Sequence, residues 1–321
     1  MIRVYKHEGG LTECVDSVNP AWLDAASGVM LWVDLDHATP AETRILSDVF
    51  HFHELAIEDA VAEIHHPKVE SYGDYLYVIL HGIDFKAREH CFQTRDVDFF
   101  LGPNYLVTVH PGVSRSIGKV AEVCTRNSRF LAEGPVALMH RIVDTMVDNY
   151  RPEVEQLQDR LDKLEREIFQ RPEAILGKRI LDFKRDIASL RRVVLPQRDV
   201  VGRLARREFD LIGQEIAYRF RDVYDQFARM ADDAIVFQDR VTGIFDAHLA
   251  TVSNRLANVS KVLAVIAALF GPLTVITGLF GMNVPLPTLF GNPEYQFWEI
   301  IGMMMVSSAL LFVWFKKSGW W

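Results

Sequence analysis

The sequence predicts an α+β multi-pass membrane protein, in which an α/β domain and a long helical hairpin precede two C-terminal transmembrane helices. Two contrasts along the chain support this prediction. Residues 262–321 hold only four charged side chains, whereas the preceding residues are rich in charge. Short apolar runs bounded by turn residues give way, near residue 133, to apolar positions at helical spacing. We expect an α/β domain over 1–132, a hairpin and stalk helix over 133–260, and a membrane domain over 261–321.

The composition excludes several classes of protein. The chain has 321 residues, of which 49% are hydrophobic, so it can bury a substantial core and is not disordered. Its three cysteines are too few for a disulfide-stapled fold. With 35 basic and 43 acidic residues, the formal net charge is −8, which argues against nucleic acid as a partner.

The first domain is predicted to combine strands with a helix. Apolar runs at 29–35, 75–80, 97–100 and 105–109 indicate strands, and a Leu-Gly-Pro-Asn turn signal separates the last two. Residues 40–63 are expected to be helical. These alternating elements predict an α/β domain.

Residues beyond 133 predict a long antiparallel helical hairpin followed by a stalk helix. Apolar residues recur every three or four positions on both sides of Pro172, and no proline occurs between Pro196 and Pro272. A continuous helix over 217–280 would be about 95 Å long at 1.5 Å per residue. A single helix cannot bury its apolar seam alone, so we expect self-association. The seam consists of Val223, Phe227, Met230, Ala234, Phe237, Val241, Phe245, Leu249, Val252, Leu256, Val259 and Leu263.

An arginine-rich stretch lies in the second helix of the hairpin and has two interpretations. One is a surface for an anionic partner. The other, which the interleaved acidic residues favour, is a solvated helix face. The stretch contains Arg191, Arg192, Arg198, Arg203, Arg206 and Arg207.

Two C-terminal segments are each long enough to cross a bilayer. Residues 262–280 contain no charge, and residues 297–315 contain one, Glu299. The loop over 283–296 is rich in proline and glycine, as a turn between two helices should be. Two buried core helices are the alternative interpretation.

Basic residues at the ends of these segments predict their orientation. Lys261 precedes the first segment, Lys316 and Lys317 follow the second, and the loop has neither lysine nor arginine. The positive-inside rule then places both termini in the cytoplasm and the loop outside. Because no apolar signal-peptide core begins the chain, we expect the soluble part to remain in the cytoplasm and the protein to lie in the lipid of the cell (inner) membrane.

A stripe of small residues follows the first membrane segment at helical spacing. Small residues favour close packing between membrane helices, and they would equally suit the wall of a narrow, uncharged pore. Periodicity alone leaves both interpretations open. The stripe consists of Ala257, Ser260, Ala264, Ala267, Gly271, Thr274, Gly278 and Gly281.

The end of this segment carries a resemblance to a known family. Residues 271–283 read Gly-Pro-Leu-Thr-Val-Ile-Thr-Gly-Leu-Phe-Gly-Met-Asn. This resembles the CorA family of divalent-cation channels, whose first membrane helix ends in Gly-Met-Asn. The soluble part is similar to the family at Ile57-Glu58-Asp59, at Pro67-Lys68-Val69 and at 220–225. The resemblance implies a funnel-shaped homopentamer in which stalk helices continue into a pore.

By this resemblance the protein takes up Mg²⁺ down its electrochemical gradient, with Co²⁺ and Ni²⁺ as further candidate ions. A ring of Gly281, Met282 and Asn283 is expected to select the ion. Mg²⁺ dehydrates reluctantly, so carbonyl oxygens that bind the hydrated ion suit it better than charged ligands. Moving two charges inward gains about 4.6 kcal/mol per 100 mV of membrane potential, so no nucleotide-binding loop is needed.

The resemblance also implies that cytoplasmic Mg²⁺ closes the channel by binding carboxylates between neighbouring subunits. The matching positions are Glu58, Asp59, Asp144 and Asp222. Loss of a bridging ion would leave like charges facing each other and favour an open state. A solvated surface carboxylate or a helix cap is the alternative at each position.

The chain departs from the family pattern at its gate and in its outer loop. Gly271 stands where many members have a large apolar gate residue, and Ala257 stands where asparagine is common. Leu263 is the remaining candidate for a hydrophobic constriction. Glu294 is the candidate acid that concentrates cations at the outer mouth.

Other functions remain open. A Zn²⁺ transporter of the same fold is one alternative, and a non-conducting, membrane-tethered cation sensor is another. Four histidines are candidate zinc ligands, but no arrangement of cysteine or carboxylate completes a tetrahedral set, so the pattern favours structural or surface roles. These are His51, His53, His65 and His66. No nucleophile–base or metalloprotease motif occurs, so we do not expect an enzyme.

Overall fold

The computed structural model describes residues 1–62, 66–83, 94–127, 129–170, 174–282 and 295–319. The chain divides into two compact units, Met1–Phe245 and Asp246–Trp321. The first unit holds a sheet and most of the helices. The second holds the apolar C-terminal helices.

A single sheet organises the first unit. In the described part of the chain it has seven strands, in the order β2-β1-β3-β7-β6-β5-β4. Strands β3 and β7 pair in parallel, and the other neighbours are antiparallel. The predicted strands are confirmed as β3, β5, β6 and β7, whereas the sequence interpretation did not include β1 and β2. The strands are β1 (Ile2–Glu8), β2 (Leu11–Val15), β3 (Met30–Asp36), β4 (Lys68–Ser71), β5 (Leu76–Ile83), β6 (Thr94–Leu101) and β7 (Tyr105–His110).

The first four helices are short and the last four are long. The single helix expected over 40–63 is two short helices, because Phe50 and Phe52 between them turn into the core and His51 adopts a positive φ of 55°. Pro172 lies outside the described residues. Two 3-10 turns, Pro20–Leu23 and Ala25–Ser27, precede β3. The helices are α1 (Arg44–Asp48), α2 (Glu54–Val61), α3 (Arg115–Arg126), α4 (Arg129–Ala132), α5 (Pro135–Gln170), α6 (Ala174–Ala205), α7 (Gln214–Phe280) and α8 (Gln296–Lys317).

Two hydrophobic cores cover the two faces of the sheet. On one face, Leu31 and Val33 of β3 pack with residues of α1 and α2 such as Leu46 and Ala56. On the other face, Trp32 joins a larger cluster that includes residues of α3, α5, α6 and the first part of α7. Successive residues of β3 therefore enter opposite cores, which is why the strand is apolar along almost its whole length.

The apolar seam of α7 is buried over its first half by the same chain. Its residues from Val223 to Val241 belong to one cluster with Leu157 and Leu161 of α5 and with Leu190 of α6. The seam over 223–241 therefore needs no second copy to cover it, because the preceding hairpin of the same chain does so. The second half remains exposed at Leu249, Val252, Leu256, Val259 and Leu263.

A buried hydrogen-bond chain joins the hairpin to the sheet. Tyr150 of α5 donates to the carbonyl oxygen of His81 at 2.7 Å, and the backbone N–H of His81 donates to Gln197 Oε1 of α6 at 2.9 Å. Gln197 Nε2 in turn donates to the Tyr150 hydroxyl at 3.0 Å. These bonds satisfy polar groups of β5 that lie under the helices and fix how α5 and α6 sit on the sheet.

A buried charge cluster holds the parallel pair β3–β7. The fully buried Asp34 accepts from Thr108 Oγ1 at 2.7 Å and from His110 Nε2 at 3.0 Å, and Arg3 lies 3.1 Å away. Trp32 Nε1 donates to the same threonine hydroxyl at 3.1 Å. Burial opposes charge on His110, but the hydrogen bond and the charge of Asp34, the Gly112 carbonyl oxygen and the charge of Asp36 together outweigh burial and raise the pKa of the imidazole.

The second unit consists of apolar helix. Helices α7 and α8 are long and apolar enough to cross a membrane, judged by length and composition. Their most apolar windows bury no residue within the chain. Exposed apolar side chains of this kind require a lipid or a protein neighbour.

Candidate functional site

The small-residue stripe of α7 is exposed along its length. All eight of its residues, and Leu263 beside them, are exposed to solvent in the single chain. A Cβ atom added at Gly271 or Gly278 would meet nothing within 4 Å. Packing inside the chain therefore does not explain why these side chains are small. A neighbouring helix or an open path does explain it.

Gly281 differs from the other glycines of the stripe. Its backbone N–H donates to the Thr277 carbonyl oxygen at 2.9 Å, one residue beyond the end of α7. A Cβ atom at Gly281 would lie 2.9 Å from that oxygen, which is closer than real Cβ contacts. The tight exit of the chain from α7 therefore requires glycine at the first position of the Gly-Met-Asn triplet.

Thr274, the threonine of the stripe, donates its hydroxyl proton to the backbone of α7. Thr274 Oγ1 donates to the Phe270 carbonyl oxygen at 2.9 Å, and Thr277 Oγ1 donates to the Leu273 carbonyl oxygen at the same distance. The oxygen of each hydroxyl remains an acceptor. Thr274 can therefore accept a hydrogen bond from the water shell of a cation without offering a charge.

The rest of the predicted selectivity site is only partly described. Met282 follows the end of α7 and is 55% exposed. Asn283 and Glu294 lie outside the described residues. The ring of amide oxygens and the acid of the outer loop therefore stay predictions from the sequence.

The first predicted acidic pair lies on α2. Glu58 is exposed, and its carbonyl oxygen accepts the N–H of Ala62, which ends the helix. Asp59 is half-buried, and its Oδ2 lies 2.6 Å from Lys68 Nζ of β4. The same ammonium lies 3.0 Å from Glu70 Oε2. The charge of Asp59 is therefore compensated within the chain.

The second predicted acidic pair joins two helices. Burial raises the pKa of Asp144 on α5, and the charges of Asp148 and Asp222 add to the rise. Asp222 of α7 accepts a hydrogen bond from Gln226 Nε2 at 3.1 Å. The structure therefore brings Asp144 and Asp222 close enough to repel each other, and a cation would relieve that repulsion.

No complete metal site forms in one copy of the described chain. Among the described residues, no group of three or more His, Cys, Asp or Glu side chains is arranged to hold a metal ion. A site built from Glu58, Asp59, Asp144 or Asp222 would therefore need ligands from water or from a second copy.

Two of the histidines tested as zinc ligands have local structural roles. His53 Nδ1 accepts the N–H of Leu55 at 3.2 Å and thereby caps α2. His51 Nδ1 lies 3.0 Å from the Ser47 carbonyl oxygen. His66 is exposed, and His65 lies outside the described residues.

The sequence interpretation missed two residues at these sites. Asp148 lies one helical turn after Asp144, so a search for carboxylates at a spacing of four would have found it. Lys68 was noted only as part of the family resemblance. Nothing local to the sequence indicates that its ammonium faces Asp59 across a helix and a strand.

Comparisons with known proteins agree on one family. A family model described as "CorA-like Mg2+ transporter protein" matches residues 27–317. The "Cobalt/magnesium transport protein CorA" of Thermotoga maritima is 31% identical over 307 residues, which cover 95% of this chain and 84% of that protein. The "Zinc transport protein ZntB" of Yersinia pestis is 24% identical over 318 residues, which cover 98% of this chain and 93% of that protein.

The fold has a matching solved structure. The complete structure of the CorA magnesium transporter from Methanocaldococcus jannaschii superposes with a TM-score of 0.83. The match covers 100% of this chain and 99% of that chain at 20% sequence identity. The predicted α+β membrane fold, with its α/β domain, long helix and two apolar C-terminal helices, is thereby confirmed.

Proposed function

The chain belongs to the family of CorA-like Mg²⁺ transporter proteins, and from that premise we propose that it is a Mg²⁺ uptake channel. Family membership makes it a divalent-cation transporter of the membrane and not an enzyme. Our proposal specifies further which ion the protein transports, where the ion crosses the membrane and how the channel closes. We take the path to lie on the axis of a homopentamer with both termini in the cytoplasm.

One observation carries the proposed path. The eight small residues of the α7 stripe are exposed, and two of its glycines have open space where a side chain would be. Several copies of α7 that turn this face inward would enclose a narrow channel free of charged groups. Such a wall lets a divalent ion pass without holding it, and binding must be weak for an ion to leave.

Selectivity is proposed to reside where α7 ends. Five copies of Asn283 would supply amide oxygens beside the backbone carbonyls of Gly281, and neither group carries a charge. Mg²⁺ keeps its first water shell more firmly than larger ions, so a ring of acceptors at a fixed distance favours the hydrated ion. The same ring would admit Co²⁺ or Ni²⁺ of similar hydration, and Glu294 would attract cations to it.

Closure is proposed to depend on cytoplasmic Mg²⁺. The charges of Asp144 and Asp222 repel each other, and Asp59 forms an ion pair with Lys68. Mg²⁺ between subunits would neutralise these carboxylates and hold the closed arrangement. Asp222→Asn should therefore weaken closure, and an unchanged dependence of transport on cytoplasmic Mg²⁺ would count against a sensor at this site.

Zinc is the second candidate ion because a zinc transport protein resembles this chain over nearly its full length. The two candidates differ in the ligands they need. Zn²⁺ prefers nitrogen and sulfur ligands, whereas the stripe of α7 offers oxygen atoms and no histidine or cysteine. The chemistry of the wall therefore favours Mg²⁺.

Ion uptake into proteoliposomes tests the proposal. We expect Mg²⁺ uptake that increases with an inside-negative potential and that Asn283→Ala abolishes or makes unselective. Zn²⁺ in the same assay should compete weakly. Zn²⁺ uptake without Mg²⁺ uptake would establish the zinc alternative, and full Mg²⁺ uptake by Asn283→Ala would exclude the amide ring.

A further inference from the structure

A basic groove runs between α6 and α7 of the first unit. Its volume is about 550 Å³, which is within the range of small-molecule binding sites. Ile187, Leu195 and Pro196 supply apolar surface to it, and Lys184, Arg191 and Arg192 supply positive charge. No carboxylate lines the groove among the described residues.

The cations of the groove have no acidic partner among the residues that the structure describes. Within the described ranges of the chain, Lys184, Arg191 and Arg192 form no ion pair with a carboxylate. Arg191 instead donates to the amide oxygen of Gln238, and Lys184 Nζ lies 4.7 Å from the centre of the Phe245 ring. Three cations that no described carboxylate compensates therefore line one groove, although the whole chain has a net charge of −8.

Arginines later in the same helix behave differently. Arg198 lies 2.9 Å from Asp199, and Arg203 lies 2.8 Å from Glu208, as expected for a solvated helix face with interleaved acids. The sequence interpretation of this stretch therefore holds for Arg198 and Arg203. Arg191 and Arg192 instead line a concave surface in which no described residue carries a carboxylate.

The chemistry of the groove suits one class of ligand. Two guanidinium groups and an ammonium can bind several phosphate oxygens, and arginine does so with paired hydrogen bonds. Apolar surface beside them suits the face of an aromatic base. Gln238 on the opposite wall offers an amide group, and the Thr242 hydroxyl, which donates to the Gln238 carbonyl oxygen at 2.9 Å, can accept.

We propose that this groove binds a nucleoside polyphosphate. Inorganic phosphate would leave the apolar surface unused, and an uncharged nucleoside would leave the three cations uncompensated. A nucleoside polyphosphate engages both. The inference is independent of the ion path, because every residue it uses lies in the first unit and outside the predicted membrane segments 262–280 and 297–315.

Calorimetric titration of the full-length protein in detergent tests this inference. ATP, AMP, inorganic triphosphate and inorganic phosphate are titrated separately. The buffer is free of divalent metal ions, so that no metal cation neutralises the phosphates. We expect saturable ATP binding that is at least tenfold tighter than binding of AMP or of triphosphate. The double variant Arg191→Gln/Arg192→Gln should bind ATP at least tenfold more weakly.

Matched variants make the result decisive. Arg198→Gln removes a neighbouring arginine of the same helix and should leave ATP affinity unchanged. Lys184→Gln gives an independent loss of affinity if the double variant does not fold. Absent ATP binding, equal binding of triphosphate and ATP, unchanged affinity in the groove variants, or displacement of ATP by phosphatidylglycerol vesicles would each overturn the proposal. Burial of the groove by an acidic surface of a second copy would do so as well.

Discussion

Lys68 Nζ lies 2.6 Å from Oδ2 of Asp59, so an ammonium of the same chain already occupies a carboxylate proposed to bind regulatory Mg²⁺. A cation that binds Asp59 must compete with this lysine. Removing the ammonium in Lys68→Met should leave Asp59 more available. Partly exposed ion pairs contribute about 0.2–1 kcal/mol, so half-closure should occur at a cytoplasmic Mg²⁺ concentration that is lower by roughly 1.4- to fivefold.

Mg²⁺ flux measured against cytoplasmic Mg²⁺ checks this prediction. Lys6→Met is the matched control, because it removes an ammonium that pairs with Glu8 on β1. The control should close at the wild-type concentration. A higher Mg²⁺ requirement in Lys68→Met would mean that the lysine organises the site instead of competing for it.

The side chain of Asp144 should make the thermal stability of the protein depend on Mg²⁺. Burial and the charges of Asp148 and Asp222 raise its pKa, so its ionised form opposes folding at neutral pH. Asp144→Asn should raise the melting temperature in metal-free buffer. It should also reduce the increase that Mg²⁺ gives the wild type. Thermal unfolding with and without Mg²⁺ measures both effects, with exposed Asp210→Asn as control. If Mg²⁺ raises the melting temperature of Asp144→Asn as much as that of the wild type, Asp144 does not bind the regulatory ion.

Asp98 should make stability depend on pH. Burial raises its pKa to about 8, although the Tyr77 hydroxyl donates to Oδ1 at 2.6 Å and opposes the rise. An unfolded aspartate titrates near pH 4, so between about pH 4 and 8 the folded state holds a proton that the unfolded state has released. The folded protein is therefore not penalised by Asp98 below about pH 4, and its stability falls as pH rises from about 4 to 8.

Replacing Asp98 by a neutral isostere tests the pH effect. Melting temperatures of Asp98→Asn between pH 5 and 8 should fall less with rising pH than those of the wild type. The surface variant Asp16→Asn should keep the wild-type slope. Parallel curves for wild type and Asp98→Asn would show that Asp98 ionises normally in the folded protein.

Gly281 should not tolerate a side chain. Its Cβ would lie 2.9 Å from the Thr277 carbonyl oxygen, so Gly281→Ala must shift the chain as it leaves α7 and displace the proposed ring. We expect Mg²⁺ flux to fall at least tenfold while the protein still assembles in the membrane. Gly302→Ala on α8 meets nothing within 4 Å and should conduct normally. Normal flux in Gly281→Ala would show that the exit geometry is unimportant.

Elements that are marked by a continuous run of residues of one type could be predicted from the sequence. The membrane helices follow from long uncharged runs, and β3, β5, β6 and β7 follow from apolar runs bounded by turns. Strand β2 is the edge strand and β1 lies next to it, and both mix charged with apolar residues, as in Lys6 and Glu13. Their pattern is weaker for that reason.

Long-range partners were not predictable from the sequence. The seam of α7 is periodic throughout, so the sequence does not distinguish its two halves. The structure shows that α5 and α6 cover the seam over 223–241 and that the seam is exposed from Leu249 onward. Asp34 and His110 are 76 positions apart and meet only through the parallel pairing of β3 with β7. Such contacts depend on topology, which residue spacing does not encode.

The claim that the α7 stripe lines the ion path can be tested most directly by thiol accessibility. Ala267 lies on the stripe, and Leu269, two residues later, faces the opposite side of the helix. Ala267→Cys and Leu269→Cys are made in a background with Cys14, Cys91 and Cys124 replaced by alanine. A charged methanethiosulfonate reagent should block Mg²⁺ flux through Ala267→Cys and leave Leu269→Cys unaffected. Block at Leu269→Cys alone, or equal insensitivity of both, would contradict a pore lined by this face.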